Sequence, residues 1–272
     1  MTTARNADEL ARRLTLPEFP RSARYDAQWM VDNAMGPNPL WLLEELSARL
    51  RLEPGMRVLD LGCGKAMTSV FLAREFGVRV YAADLWITPG ENWPRIREAG
   101  CADLVVPLRA EAHDLPFAAG YFDAVVCVDA FQYFGTDDLY LGYLTEFIAP
   151  GGQLGIAVPT VSAEIDRIDA VPEALRPYWQ WEFMCFHTAD WWRDRWTLSG
   201  RVTDVAATRL ENWWRHWHDW CRIGAEYASE EHMRSMAAGE AEMLSADGGR
   251  TLGFATVVGR VPADGEEDGG GR

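Results

Sequence analysis

Two glycines and two acids, placed where a strand would run into a helix, are the sharpest chemical feature of this 272-residue sequence. The segment Val58-Leu59-Asp60-Leu61-Gly62-Cys63-Gly64 is an apolar run that ends in a glycine turn. Such glycines allow a tight bend and bring backbone N–H groups close to a ligand at the following helix N-terminus. A dinucleotide-binding turn would carry a third glycine, G-x-G-x-x-G, with a pyrophosphate on the helix end. Met67 stands at that place here, and the Asp60 carboxylate precedes the turn. An anionic pyrophosphate is therefore disfavoured, whereas a cationic ligand is not. Asp84, 20 residues past Gly64, closes the next apolar run. A carboxylate there can accept from both hydroxyls of a ribose.

The elements that must hold these residues follow from the apolar pattern. Strands are expected at 57–61, 79–83, 104–108, 124–128 and 154–158, each short, rich in Val, Leu or Ile, and bounded by Gly, Pro or Asp. Helix-length stretches separate them at 68–76, 91–99 and 136–148, the last stopped by Pro150-Gly151-Gly152. This alternation predicts a doubly wound, mostly parallel sheet with its ligand at the carboxyl ends of the strands. Beyond Val158 an irregular aromatic insertion, a helix at 188–198, a strand at 201–207, a long helix at 212–244 and a last strand at 251–261 complete the chain. The expected organisation is one domain over 25–262, with lid insertions at about 160–187 and 211–248. Residues 1–24, polar and arginine-rich, are expected as a mobile arm or a helix that closes over something, and the acidic, glycine-rich 263–272 as a disordered tail.

Composition narrows the partners. Forty-one acidic residues stand against 26 basic ones, for a net charge of −15, and no basic block exists that would hold a phosphate backbone. No apolar run reaches the ~18 residues a bilayer span needs, and the opening residues lack an apolar signal region. The five cysteines are scattered without a CxxC pair, the usage of reduced cytoplasmic thiols. Nucleic acid and membrane are thus not expected as partners, a small molecule is, and association into a homo-oligomer is left open. Lys65, in the glycine turn, is the single lysine.

Further motifs follow the turn in order: Glu111-Ala112-His113-Asp114-Leu115-Pro116-Phe117, then Phe122-Asp123-Ala124-Val125, then Ala149-Pro150-Gly151-Gly152. Together the order hhDxGxG, acid after the second strand, (D/E)AxxLPF, FDxV and PGG resembles the class I S-adenosylmethionine-dependent methyltransferases, in their small-molecule branch. The resemblance covers residues 57–158 continuously. It implies a Rossmann-like seven-stranded mostly parallel sheet with an antiparallel last strand, a helical and aromatic lid, and S-adenosyl-L-methionine as cofactor. It implies that Asp60, Gly62, Cys63 and Gly64 line the methionine part, Asp84 the ribose and Leu85 the adenine, with Lys65 in the cofactor loop, where a compact ammonium is expected. Glu111 would accept from the adenine amino group, and the Ala112 N–H would reach a ring nitrogen. Val128 and Asp129 would end the fourth strand where cofactor and acceptor meet. Tyr25, with Trp29 close behind, resembles the tyrosine region that packs over the sulfonium.

Outside those motifs, Trp179, Trp181, Phe183 and Phe186 are expected to wall an acceptor pocket with Trp29, Asp129 and Gln132. His187 is a candidate base, since imidazole titrates near neutrality, and Tyr133 can donate a hydrogen bond to the acceptor. Gln132 stands where related sequences often carry histidine and cannot take a proton. No metal site is expected: His216 and His218 would point about 200° apart on a helix, and His218 with Cys221 gives only two ligands. Trp213, Trp217, Trp220 and Gly224 form a helical stripe that packs on the core or walls the pocket. The sequence thus predicts methyl transfer to a small, partly apolar acceptor. Its rivals are an attack on, or cyclisation of, the cofactor's aminocarboxypropyl group, and a non-catalytic cofactor-binding sensor.

Overall fold

A computed structural model describes residues 2–263, with side chains from residue 7 onward. The expected tail over 263–272 therefore lies, apart from Ala263, outside the described residues. Seven strands form one sheet in the order β3-β2-β1-β4-β5-β7-β6. They are β1 (Arg57–Leu61), β2 (Arg79–Asp84), β3 (Val105–Arg109), β4 (Phe122–Val128), β5 (Ile148–Val161), β6 (Thr203–Arg209) and β7 (Leu252–Arg260). β1 to β5 are mutually parallel, and β7 runs antiparallel between β5 and β6. The chain reverses its direction of winding between β1 and β4, and the crevice beyond their carboxyl ends is where such sheets bind ligands.

The helices are α1 (Thr2–Leu14), α2 (Ala27–Asp32), α3 (Pro39–Ser47), α4 (Met67–Phe76), α5 (Pro89–Glu98), α6 (Tyr140–Thr145), α7 (Ala189–Ser199), α8 (Trp213–Tyr227) and α9 (Glu231–Asp247). Central strands are buried on both faces, which explains their unbroken apolar runs. β7 alternates faces: Leu252 and Phe254 join the core with α3, α4 and α8, while Val257 joins the core with α6 and α7. Gly155 lets α3 lie directly on β5, because a Cβ there would sit 2.8 Å from Leu50.

Three expected elements change form. The helix expected over 136–148 shrinks to α6, because Ile148 pairs with Phe122 and begins β5 early. Pro150-Gly151-Gly152 lies inside that strand at an irregular register and does not divide helix from strand. The long helix expected over 212–244 breaks into α8 and α9. Ala228 is extended, and the Ser229 N–H is taken by the Asp32 carboxylate at 3.1 Å, so α9 folds back along α8. Of residues 1–24, expected as a mobile arm or a closing helix, the described part forms α1 and packed turns. Leu10, Leu14 and Phe19 are buried in the core, and Arg13 pairs with Glu226 of α8 at 2.6 Å. Glu44 of α3 ties down the turn that follows by accepting from the Arg21 and Ser22 N–H groups at 2.9 and 2.8 Å.

Trp41 joins these layers. It is buried, stacked on Phe19 at 5.4 Å and set edge-on to Trp220 of α8 at 5.9 Å. Trp41→Ala is expected to lower unfolding free energy by ~3–5 kcal/mol. A urea midpoint within ~1 kcal/mol of wild type would contradict this packing.

Candidate active site

The glycine turn leaves β1 at the switch point and is held from across the sheet. The Asp84 carboxylate, at the end of β2, accepts from the Gly64 N–H through Oδ2 at 2.8 Å. Its Oδ1 accepts from the Trp86 and Ile87 N–H groups, both at 2.8 Å. Gly62 is left-handed at φ +74°, and a Cβ on it would stand 2.5 Å from that of Ala130, so only glycine fits. Ala66, also left-handed at φ +62°, starts α4. Asn92 of α5 donates to the Gly64 carbonyl at 2.9 Å and fixes the outer side of the turn. Lys65 donates to the Asp32 carbonyl at 3.0 Å, so the compact ammonium anchors α2 to the turn.

Asp60 lies beneath this turn, fully buried. Its Oδ2 accepts from Thr68 at 2.6 Å and Ser69 at 2.5 Å, the first-turn hydroxyls of α4, while Oδ1 has no partner. Burial pushes its pKa up to about 6 against those two hydrogen bonds. A buried carboxylate oxygen without a donor, under a turn where a side chain cannot fit, suits a ligand with a cationic end. These residues fit S-adenosyl-L-methionine. Asp84 meets the fit in reduced form, since three of its roughly four lone-pair positions already serve the backbone. The carboxylate shapes the turn first and keeps one place, on Oδ2, for a ribose hydroxyl.

Other expected residues fall into two groups. Leu85 and Trp86 are exposed beside Asp84, Trp86 at 74 %. Cys63 is buried in the turn, and Val128 ends β4 close by. Glu111 is engaged by its own loop, accepting from the His113 N–H at 2.9 Å with the His113 ring at 3.0 Å, and the Ala112 carbonyl accepts from Tyr140. Tyr25 is not brought to the turn. It stacks between Trp29 and Phe71 and approaches Glu75 with its hydroxyl at 3.3 Å. Those α4 contacts lie one to two helical turns, roughly 6–12 Å, beyond the helix start. The apolar ring outweighs its polar tip, and Trp29 goes with it.

The lid over 160–187 is a chain of 3₁₀ turns, Ile168–Ala170, Glu173–Tyr178 and Trp181–Cys185. Phe186 is buried, Trp179 and Phe183 pack against the core edge, and Trp181 is 72 % exposed. Trp181 therefore does not wall an enclosed pocket in this conformation. Trp213 and Trp217 pack on Phe254, the core alternative for that stripe. His187 stands at the lid's end with its ring on Trp191 at 3.8 Å. Glu164 lies 2.8 Å from its Nδ1 and also accepts from the Thr188 N–H at 2.7 Å.

The end of β4 is where polar groups converge. Asp129 is left-handed at φ +55° and follows the strand directly. Its Oδ1 accepts from Gln132 at 3.2 Å, and its Oδ2 stands 2.6 Å from the place a Gly36 side chain would occupy. Gly36 in turn offers its carbonyl to the Trp220 indole at 2.9 Å. Across from it Cys221 donates to Glu240 of α9 at 3.1 Å. Burial first, then the charge of Glu240, push the Asp129 carboxyl up to about 8, and burial raises Glu240 as well. Tyr133, half exposed in the Phe131–Tyr133 turn, is raised to about 12 by burial and by Asp129, so its hydroxyl stays a donor. The sequence singled out Asp129, Gln132 and Tyr133 but gave no sign of Gly36 or Glu240, which reach the site only by tertiary packing.

Comparison with known proteins agrees with this geometry. Residues 58–152 match the model of the methyltransferase domain. Methyltransferase GfsG of Streptomyces halstedii is 30 % identical over 128 residues, 47 % of this chain and 46 % of that protein. The fatty-acid O-methyltransferase of Mycolicibacterium smegmatis is 34 % identical over 98 residues, 36 % and 35 % of the two chains. The chain thus spans about half or less of these curated relatives. Among solved structures, a phosphoethanolamine N-methyltransferase 2 of Haemonchus contortus with S-adenosyl-L-methionine aligns with TM-score 0.71 at 17 % identity, over 94 % of this chain and 60 % of that one. A methyltransferase of Geobacter sulfurreducens with S-adenosyl-L-homocysteine aligns with TM-score 0.63 at 20 % identity, over 91 % and 99 %. At these identities the structural likeness speaks to the fold. Residues 58–152 thus match a methyltransferase domain, and the sheet has the Rossmann-like fold of the S-adenosylmethionine-dependent methyltransferases it aligns with.

Asp129 makes stability depend on pH. Unfolded, its carboxyl titrates near 3.8; folded, near 8. Between those values the folded state holds a proton that the unfolded state has released, so stability falls as pH rises through the window. Asp60 and Glu240 add the same sign. From pH 5 to pH 8.5 the unfolding free energy is expected to drop, and Asp129→Asn to recover at least ~1 kcal/mol of that drop. A slope identical in the variant would contradict the burial of this carboxylate.

Proposed function

We propose that this chain transfers the methyl group of S-adenosyl-L-methionine to a small, partly apolar acceptor held between β4 and the aromatic lid. The observation that carries it is the domain match over 58–152, coincident with a glycine turn and an unpartnered Asp60 oxygen at the sheet's switch point. When bound, the cofactor supplies an electrophilic methyl carbon on a sulfonium. The chain's task is then alignment and exclusion of water. Gly62 and Gly64 give backbone approach, Asp60 offers negative charge, and Asp84 orients the ribose through its remaining lone pair. Tyr133 donates toward the acceptor. His187, at the end of the lid with Glu164 2.8 Å from its Nδ1, is the proton acceptor.

Several supports bear on the setting. Among the described residues no helix is long and apolar enough to cross a membrane, and all five cysteines are free, as in a reducing cytoplasm. The fatty-acid O-methyltransferase and the phosphoethanolamine N-methyltransferase to which the chain is similar are named for small molecules, and the acidic balance disfavours nucleic acid.

Asp84→Asn, which removes charge while keeping one acceptor oxygen, is expected to weaken S-adenosyl-L-methionine at least tenfold, about 1.4 kcal/mol. Calorimetry with an unchanged dissociation constant would contradict the proposed cofactor site. Incubated with cofactor and an acceptor-containing extract, the protein should release S-adenosylhomocysteine. Rapid 5′-methylthioadenosine without acceptor would favour attack on the aminocarboxypropyl group instead.

A further inference from the structure

The end of β4 gathers carboxyl and amide groups around Asp129. Asp129 and Glu240 are each partly exposed, so both can be reached from solvent. Neither has an ion-pair partner among the described residues. Gln132 is fully buried, and its amide nitrogen is committed to Asp129. Its Oε1 has no partner and, by amide geometry, lies within about 6 Å of the Asp129 carboxylate. A buried acceptor without a donor costs about 1–3 kcal/mol. A chain that leaves this oxygen unpaired beside the Asp129 carboxyl, with 25 arginines available elsewhere, leaves the counter-charge to a ligand.

We propose that Asp129, the Gln132 amide oxygen and Glu240 recognise the acceptor through a protonated amine, a specificity that rests on the methyltransferase reading above. An ammonium offers up to three N–H donors and a positive charge, which matches two carboxylates and one orphan oxygen. Trp220 flanks the same place, its indole N–H held by Gly36 against Asp129, and an indole face attracts a cation. A protonated amine favours the ionised form of these carboxyls, which burial otherwise pushes toward protonation, whereas an anionic acceptor group would oppose it. The charge interaction explains Gln132 directly: a histidine at that position could be protonated and would compete with the ligand for Asp129. The remaining, apolar part of the amine would face the lid residues Phe183 and Phe186.

The test uses the full chain saturated with S-adenosylhomocysteine, titrated calorimetrically with two matched sets of probes. These are 2-phenylethylamine, 2-phenylethanol and 3-phenylpropionate, and hexylamine, 1-hexanol and hexanoate. In at least one set the amine is expected to bind tenfold or more tighter than the alcohol, with the acid weakest. In Asp129→Asn that preference should fall below twofold, and Gln132→Leu should reduce it at least threefold. Equal binding within both sets, preference for the acids, or binding by none of the six overturns the amine assignment. A loss in Asp129→Asn confined to S-adenosylhomocysteine, with amine preference intact, also overturns it by giving the carboxylate to the cofactor. If wild type fails to bind S-adenosylhomocysteine at all, the methyltransferase reading falls first. Should Asp129→Asn not fold, the wild-type comparison and Gln132→Leu decide.

Discussion

One carboxylate organises the crevice. Asp84 at the end of β2 gathers the N–H groups of Gly64, Trp86 and Ile87, and so fastens the turn after β1 to the loop after β2. Backbone amides at such turns need partners when buried, and an ionised acceptor binds them about twice as strongly as a neutral one. With the turn fixed, α4 starts in a set direction, Thr68 and Ser69 meet Asp60, and Asn92 closes the outer wall. Each of those contacts presupposes the position of Gly64.

The crevice also concentrates backbone strain. Ala66 and Asp129 are non-glycine residues in the left-handed region, one on each side of the switch point. Such conformations cost on the order of 1–3 kcal/mol each and persist where surrounding structure over-determines them. Here the surroundings are two fully packed cores, one on each face of the sheet. Trp41, Trp213 and Trp217 sit in the first, Trp192 and Trp196 in the second. Much of the chain's tryptophan thus serves as filling around a strained polar centre, and the exposed Trp181 and Trp86 are the exceptions near the crevice.

What the sequence discloses and what it conceals follow from range. The strands, the glycine turn and Asp84 are legible because each depends on neighbours a few residues away or on one unbroken apolar run. The structure keeps those strands, extending several by a few residues. The ring of Tyr25 is captured by Phe71 and Trp29, a tertiary event its motif does not encode. The α8–α9 break is invisible locally: Ala228 and Ser229 are unremarkable, and it is Asp32, almost 200 residues away, that takes the Ser229 N–H. Gly36 and Glu240 reach the crevice by the same long-range packing. Gln132 is legible as an amide that cannot take a proton, but its meaning depends on Asp129, which the fold brings within 3.2 Å of it.

The central claim is that a nucleoside–amino acid ligand seats on the turn that Asp84 fastens. Amide hydrogen exchange of the full chain, with and without S-adenosylhomocysteine, addresses it most directly. Binding should slow exchange at Gly62 to Thr68 and at Leu85 to Ile87, while β6, at the far edge of the sheet, exchanges as before. Unchanged exchange over both loops at a saturating ligand concentration, or protection confined to elements away from the switch point, would contradict it.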